Sequence, residues 1–137
     1  MRRRAIIACL AVLAIAALVL PAGASTKGAS KGPVITRVTP MRIGVGSRLV
    51  IRGSNFSSRR GGNMVIFRGP GGRFAFAKPL RASRSKLVLR VPTSVARLFP
   101  TGSHAYEATR MKLRILVSRK FSAWTRKRLS PVVVPGG

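Results

Sequence analysis

Along most of the chain, apolar and polar residues alternate with a period of two. In RLVIRG, Leu49 and Ile51 alternate with Arg48, Val50 and Arg52. In KLVLRVP, Leu87, Leu89 and Val91 alternate with Val88 and Arg90, and in MKLRILVS, Met111, Leu113, Ile115 and Val117 alternate with Lys112, Arg114 and Leu116. Alternation over short runs bounded by turn-formers predicts strands with one buried face. The predicted strands are Val34 to Thr39, Arg48 to Ser54, Met64 to Arg68, Arg73 to Lys78, Lys86 to Val91, Met111 to Ser118 and Pro131 to Val134. Between them lie GSNFSSRRGG, RGPGGR, KPLRASRS and PTG, rich in residues that end strands and permit unusual backbone angles. Only SVARLF, Ser94 to Phe99, reads as a helical turn, with Thr93 placed to cap it. Strands of this length, spaced by turns, predict an all-β sandwich of two sheets.

The first residues follow a different pattern. MRRR, a continuous apolar run from Ala5 to Leu20, and then PAGAS form the three parts of an export signal, with Ala22 and Ala24 fitting the small-residue cleavage rule. Residues 1–24 are therefore expected to be a signal peptide, 25–32 (STKGASKG) a flexible linker and 33–137 the folded domain. The apolar run falls short of the roughly 20 residues a spanning helix needs, so membrane contact is expected only through this segment. The one cysteine, Cys9, lies inside it. The exported chain then has no thiol chemistry and no disulfide, and its apolar core alone must hold it.

Charge narrows the function further. The sequence carries 27 Lys and Arg against one acidic residue. Without the three arginines of the leader, 24 remain against Glu107, a net +23. Such a surface repels itself unless anions lie close by, which points to a polyanionic partner or environment. The same composition excludes paired-carboxylate catalysis and carboxylate-built calcium or magnesium sites. His104 stands near Glu107, but no strained Gly-x-Ser-x-Gly turn supplies a nucleophile. GVGSRLVI runs from a turn into a strand, whereas a phosphate-cradling loop runs into a helix. The protein is expected to be non-enzymatic, to need no cofactor and to bind no metal.

Four segments in order, PVITRVTP, GVGSRLVIRGSNF, NMVIFRG and LVLRVP, resemble the IPT/TIG domain, shared by plexins, some transcription factors and many bacterial secreted or surface proteins. The resemblance covers Pro33 to Pro92; beyond it, Gly102 and Tyr106 stand at wider spacing than the family pattern. It implies an immunoglobulin-like sandwich of about seven strands acting as an interaction module. In this register Gly44 and Gly46 turn the chain into the second strand, while Gly53 and Asn55 break that strand so that Phe56 re-enters the core.

The segment SRKFSAWTRKRLSP is the candidate binding element. It sets Arg119, Lys120, Arg126, Lys127 and Arg128 around Phe121 and Trp124, between the last two strands and at a loop end of the sandwich. Guanidinium forks match phosphate and carboxylate, and an exposed Trp124 would stack on a sugar or base. The other reading makes Phe121 and Trp124 core residues that close the end of the sandwich. Arg59 and Arg60, in SSRRGG, would add to the same field. The expected partner is an anionic cell-envelope polymer or an acidic protein, bound by a secreted or envelope-associated monomer. Nonspecific nucleic-acid binding is the first alternative, although the sequence shows no set of stacking aromatics. A membrane-active cationic polypeptide is the second, although no amphipathic helix is visible.

Overall fold

The computed structural model describes residues 31–102 and 107–136. The chain divides into a unit of residues 1–30 and a unit Lys31–Gly137. The expectations for the leader and its cleavage, and for His104 and Tyr106, lie outside the described residues.

The described chain is all-β. In order its strands are β1 Val34–Thr39, β2 Arg42–Gly44, β3 Arg48–Ser54, β4 Asn63–Arg68, β5 Phe74–Ala77, β6 Arg81–Ala82, β7 Lys86–Arg90, β8 Thr109–Arg110, β9 Lys112–Val117, β10 Lys120–Phe121 and β11 Val132–Val134. The seven strands predicted from alternation are present to within a residue or so at each end. Four short ones, β2, β6, β8 and β10, are additional. The predicted helical turn is a 3-10 segment, Thr93–Leu98, which starts one residue earlier than expected: Thr93 is its first residue and not its cap, and Pro92, which has no side-chain acceptor, stands in the cap position.

Two four-stranded sheets, β1-β3-β7-β6 and β10-β9-β4-β5, enclose one core, and a three-stranded sheet, β2-β11-β8, completes the fold. The period-two pattern places the residues it should: Leu49, Ile51, Leu87, Leu89, Val65, Phe67, Leu113 and Ile115 are all fully buried. In β5 the small residues face inward. Ala75 and Ala77 are buried while Phe74 and Phe76 are exposed, because β5 packs against the 3-10 segment, whose Val95 and Leu98 fill the space a larger side chain would take.

Glycine does two separate jobs in the turns. Gly46 has φ +83, a backbone angle that side chains resist, and Gly44 instead lies inside β2, paired in parallel with Val134. The turn into β3 therefore rests on Gly46 rather than on both glycines. At Gly53 the need is space. A β-carbon there would collide with the Val34 carbonyl oxygen and stand 2.7 Å from Phe56 Cζ. The bulge between Ile35 and Arg37 adjusts β1 alongside this close approach, and Asn55, at φ +62, then sends the chain back so that Phe56 is buried.

The outward face of the first sheet has an unusual register. Arg48 stands directly opposite Arg90, Arg52 opposite Lys86, and Arg37 opposite Arg52 on the other side. Like charges facing across neighbouring strands each cost up to about 1 kcal/mol. No acidic residue is interleaved among them.

Candidate functional site

The predicted binding segment is not a loop at the end of the sandwich. Its first part is the edge strand β10, with Lys120 opposite Val117 and Phe121 opposite Leu116, and the chain then continues along β9 as far as Thr125. Beyond Phe121 the pairing changes character. Ser122 and Thr125 donate their backbone N–H groups to the carbonyls of Ile115 and Leu113, at 2.8 and 2.9 Å. In return, the N–H groups of Ile115 and Leu113 donate to hydroxyls, Ser122 Oγ at 2.9 Å and Thr125 Oγ1 at 2.8 Å. Side-chain oxygens replace the carbonyls an ordinary strand would offer. Thr125 Oγ1 lies 2.8 Å from Ser130 Oγ, which donates to the Arg126 carbonyl at 2.9 Å. Among the described residues no buried polar side-chain atom lacks a partner. This clamp fixes Ser122 and Thr125 inward and leaves Trp124 between them, half-buried, over the outward face of the sheet.

On that face, rings and guanidinium groups pack together. Trp124 stacks on Phe74 with centroids 5.9 Å apart and planes at 19°. The Arg68 guanidinium lies 6.0 Å from the Phe74 ring and 5.7 Å from Trp124. Arg114 lies 5.2 Å from Trp124 and 4.4 Å from Phe121, and its Nε donates to the Ser122 carbonyl at 2.8 Å. The three rings thus form one row, Phe74 stacked on Trp124 with Arg68 beside both, and Arg114 joining Trp124 to Phe121. Each cation near a ring face gains about 0.5–1 kcal/mol at exposed sites, so the row is held in place before any ligand arrives. Phe76 extends it: it stands opposite Ile66, which is opposite Arg114, and Ile66 is buried beneath the face although it points outward. Phe74, Phe76 and Phe121 remain 46%, 57% and 48% exposed.

The structure therefore separates the predicted site residues. Trp124 belongs to the ring-and-guanidinium face, and Lys120 lies on β10 beside it. Phe121 covers no end of the sandwich, and Trp124 is neither a core residue nor a freely exposed one. Arg119, at φ +66, forms with Ser118 the two-residue turn between β9 and β10. Val117 pairs with Asn63, so this turn and the loop carrying Arg59 and Arg60 lie at the same end of the sheet. That loop is fixed by Asn63, whose Oδ1 accepts from Ser57 N at 2.9 Å and whose Nδ2 donates to the Ser57 carbonyl at 2.7 Å. Arg126 borders a cleft of about 190 Å³ that Trp124 shares with Pro33, Ile35 and Leu129. Lys127 and Arg128 face elsewhere, lining an open hollow with Arg42 and Arg110 beside the third sheet. Arg110 is anchored there, donating to the carbonyls of Lys127 and Ser130 at 3.0 and 2.9 Å.

The sequence displays no evident set of stacking aromatics, and the structure contains one. Its members come from β5, β9's partner segment and β10, and only the register brings them together. The signal present in the sequence was RFAFAK, an alternation in which the two phenylalanines share a side opposite two alanines. Arg68 and Arg114 were legible as outward-facing strand residues but not as ring partners.

No family model matches the chain, and no curated protein matches it. Its fold recurs in solved structures. A protein of unknown function from Bacteroides thetaiotaomicron, solved by structural genomics, superposes on 76% of this chain with a TM-score of 0.57 at 12% identity. An auxiliary nutrient binding protein from the same organism covers 73% at 25% identity with a TM-score of 0.47, and one from Bacteroides ovatus covers 76% at 22% identity with a TM-score of 0.40. This chain spans 22%, 21% and 20% of those three chains, respectively. The first likeness establishes a shared all-β fold and nothing about activity. Among the described residues no helix is long and apolar enough to cross a membrane, and no cluster of three or more His, Cys, Asp and Glu is suited to a metal.

Proposed function

We propose that this chain is an exported, non-catalytic binding module of the immunoglobulin-like, IPT/TIG kind that holds an anionic envelope polymer built from sugar rings. The observation that carries this reading is the row of rings Phe74, Trp124 and Phe121 with Arg68 and Arg114 packed against them. A surface made for membrane insertion would gather its rings in the centre and keep its cations at the rim, because desolvating a guanidinium is costly. Here both guanidinium groups sit against the rings themselves. Rings and cations in one surface suit a polymer that carries flat ring faces and anionic groups together: the rings lie on Trp124 and the phenylalanines, while Arg68 and Arg114 meet the charges. The tripartite leader and the order of the four IPT/TIG-like segments support export and a binding role.

A second reading, single-stranded nucleic acid, draws on the Trp124–Phe74 stack. Bases stack on aromatic platforms of this kind for about 1–3 kcal/mol each, with strong salt dependence.

The test compares polygalacturonate, which carries rings and carboxylates, with polyphosphate, which carries charge and no rings. Trp124→Ala is expected to weaken polygalacturonate binding roughly tenfold, the loss of about one stacked ring, and to leave polyphosphate binding within about twofold. Equal losses for both polymers, or none, would remove the row from the binding surface. Displacement of polygalacturonate by oligothymidylate at much lower concentration would replace the first reading with the second.

A further inference from the structure

The opposite side of the sandwich carries a second, differently built surface. On the outward face of β1-β3-β7-β6, Arg48 and Arg90 form one cross-strand row, and Arg37, Arg52 and Lys86 form another. Thr39, Val50, Val88 and Arg81 form the row between them. All six cations are exposed. Rows of like charge about two side-chain steps apart along the strands leave a strip roughly 13 Å wide. Part of that strip is a groove of about 260 Å³ floored by Val50 and Val88 and walled by Arg48, Arg81 and Lys86. The Arg90 guanidinium donates to the Gly46 carbonyl at 3.2 Å, which holds one edge of the row in place. The only carboxylate side chain of the chain, Glu107, precedes β8 on the third sheet.

We infer that this face holds a second segment of the same anionic polymer, so that one module bridges two polymer segments. The inference rests on the proposed polymer ligand for the ring face and adds a second, charge-only contact to it. Strand pairing places like charges directly opposite one another, an arrangement the fold stabilises better with anions between them than without. The face has no ring on its surface, so it reads charge alone, and its groove gives an extended chain a path between the two rows. The two sheets enclose one core, so their outward faces point in opposite directions. A single short segment cannot occupy both, whereas two segments can, and linking them raises the local concentration of each at the other.

The test uses the full chain. Biotinylated polygalacturonate on beads retains the protein, unbound material is washed away, and fluorescent polygalacturonate is then offered in solution. The wild type is expected to capture it. The combined variant Arg48→Thr, Arg52→Thr, Lys86→Thr, Arg90→Thr, which keeps strand-favouring residues and removes the opposed pairs, is expected to be retained on the beads to at least half the wild-type level. Its capture of the second polymer is expected to fall at least tenfold. A thermal melt that is unchanged or raised at low salt establishes that this variant is folded. A charge-matched control, Lys31→Thr, Arg42→Thr, Arg73→Thr, Arg97→Thr, is expected to capture within twofold of wild type. Undiminished capture by the first variant, or an equal loss in the control, would overturn the bridge and leave only diffuse charge. Parallel loss of retention and capture in the first variant would also overturn it, because a single site would then serve both. Wild-type retention without capture would defeat the bridge but not the ring-face reading, and failure of retention itself would defeat both.

Discussion

Gly53→Ala is expected to cost about 3 kcal/mol of folding free energy, at the upper end of what adding a single methyl to a packed structure does. The added β-carbon would fall inside the contact distance of the Val34 carbonyl oxygen and 2.7 Å from Phe56 Cζ. Neither neighbour can give way cheaply. Val34 is paired with Ser54, Ile35 with Gly53 itself, and Phe56 is buried with its backbone N–H held by the Arg84 carbonyl at 3.1 Å. Moving β1 would disturb the first sheet at the bulge that already adjusts its register. In a domain of this size the melting temperature should fall on the order of 15 °C. Urea denaturation with an unchanged m-value measures the effect directly, and a loss below about 1 kcal/mol would mean that β1 moves aside far more easily than the packing implies.

Thr125→Val is expected to cost about 2 kcal/mol, although it changes the shape of the side chain very little. The hydroxyl it removes accepts from the Leu113 N–H at 2.8 Å and lies 2.8 Å from Ser130 Oγ. Without it, a buried backbone N–H on β9 has no acceptor, and an unmade buried hydrogen bond costs more than a made one contributes. Ser130→Ala alone should cost less, since its own hydroxyl serves carbonyl groups at the edge of the same network. The double variant should cost less than the sum of the two, because both break one connected set. The larger consequence concerns function. Ser122 and Thr125 are what keep the chain running along β9 with Trp124 projecting between them. In Thr125→Val, Trp124 should lose its fixed position beside Phe74, and polygalacturonate affinity should fall with it while polyphosphate affinity holds. Unchanged polygalacturonate affinity in Thr125→Val would show that Trp124 is placed by its own ring contacts and not by the hydroxyl clamp.

These two positions also mark the boundary of what the sequence made legible. The long alternating runs were readable because their partners lie on both sides of the core and every second residue had to be apolar. Gly53, Asn55 and Phe56 were readable as a strand-ending turn because glycine and asparagine are needed where side chains meet other backbone. The short strands were not. β2, Arg42–Gly44, looks like turn because it lies between Pro40 and Gly46, and it becomes a strand only through parallel pairing with Val132–Val134 far along the chain. β10 was hidden for a related reason: SRKFSAWT has no alternation of its own, and serine and threonine hydroxyls supply acceptors that a pattern of hydrophobicity does not record. The candidate site suffered most from this. Arg119, Lys120, Trp124, Arg126, Lys127 and Arg128 are close in sequence, but the fold distributes them over a turn, an edge strand, a ring-bearing face and a hollow beside another sheet. Conversely, Phe74, Arg68 and Arg114 lie far from that segment in sequence and beside Trp124 in space. Register across β4 and its two neighbours brings them together, and register between non-adjacent strands depends on pairing choices that no local window contains.

The same limit applies to the cationic face. Arg48, Arg52, Lys86 and Arg90 were each legible as solvent-facing strand residues. Their pairing in opposed rows follows from β3 and β7 meeting in one register, and a shift of one residue would have dispersed them.

Trp124 is the only tryptophan in the chain, so its fluorescence reports on the ring face and nothing else. The most direct measurement titrates the wild-type protein with polygalacturonate while following Trp124 emission, with sedimentation run in parallel to record binding. The account predicts a saturable change in emission that tracks the bound fraction, and a much smaller change with polyphosphate at equal occupancy. Sedimentation showing tight polygalacturonate binding while Trp124 emission stays unchanged would place the polymer elsewhere and contradict the assignment of this face.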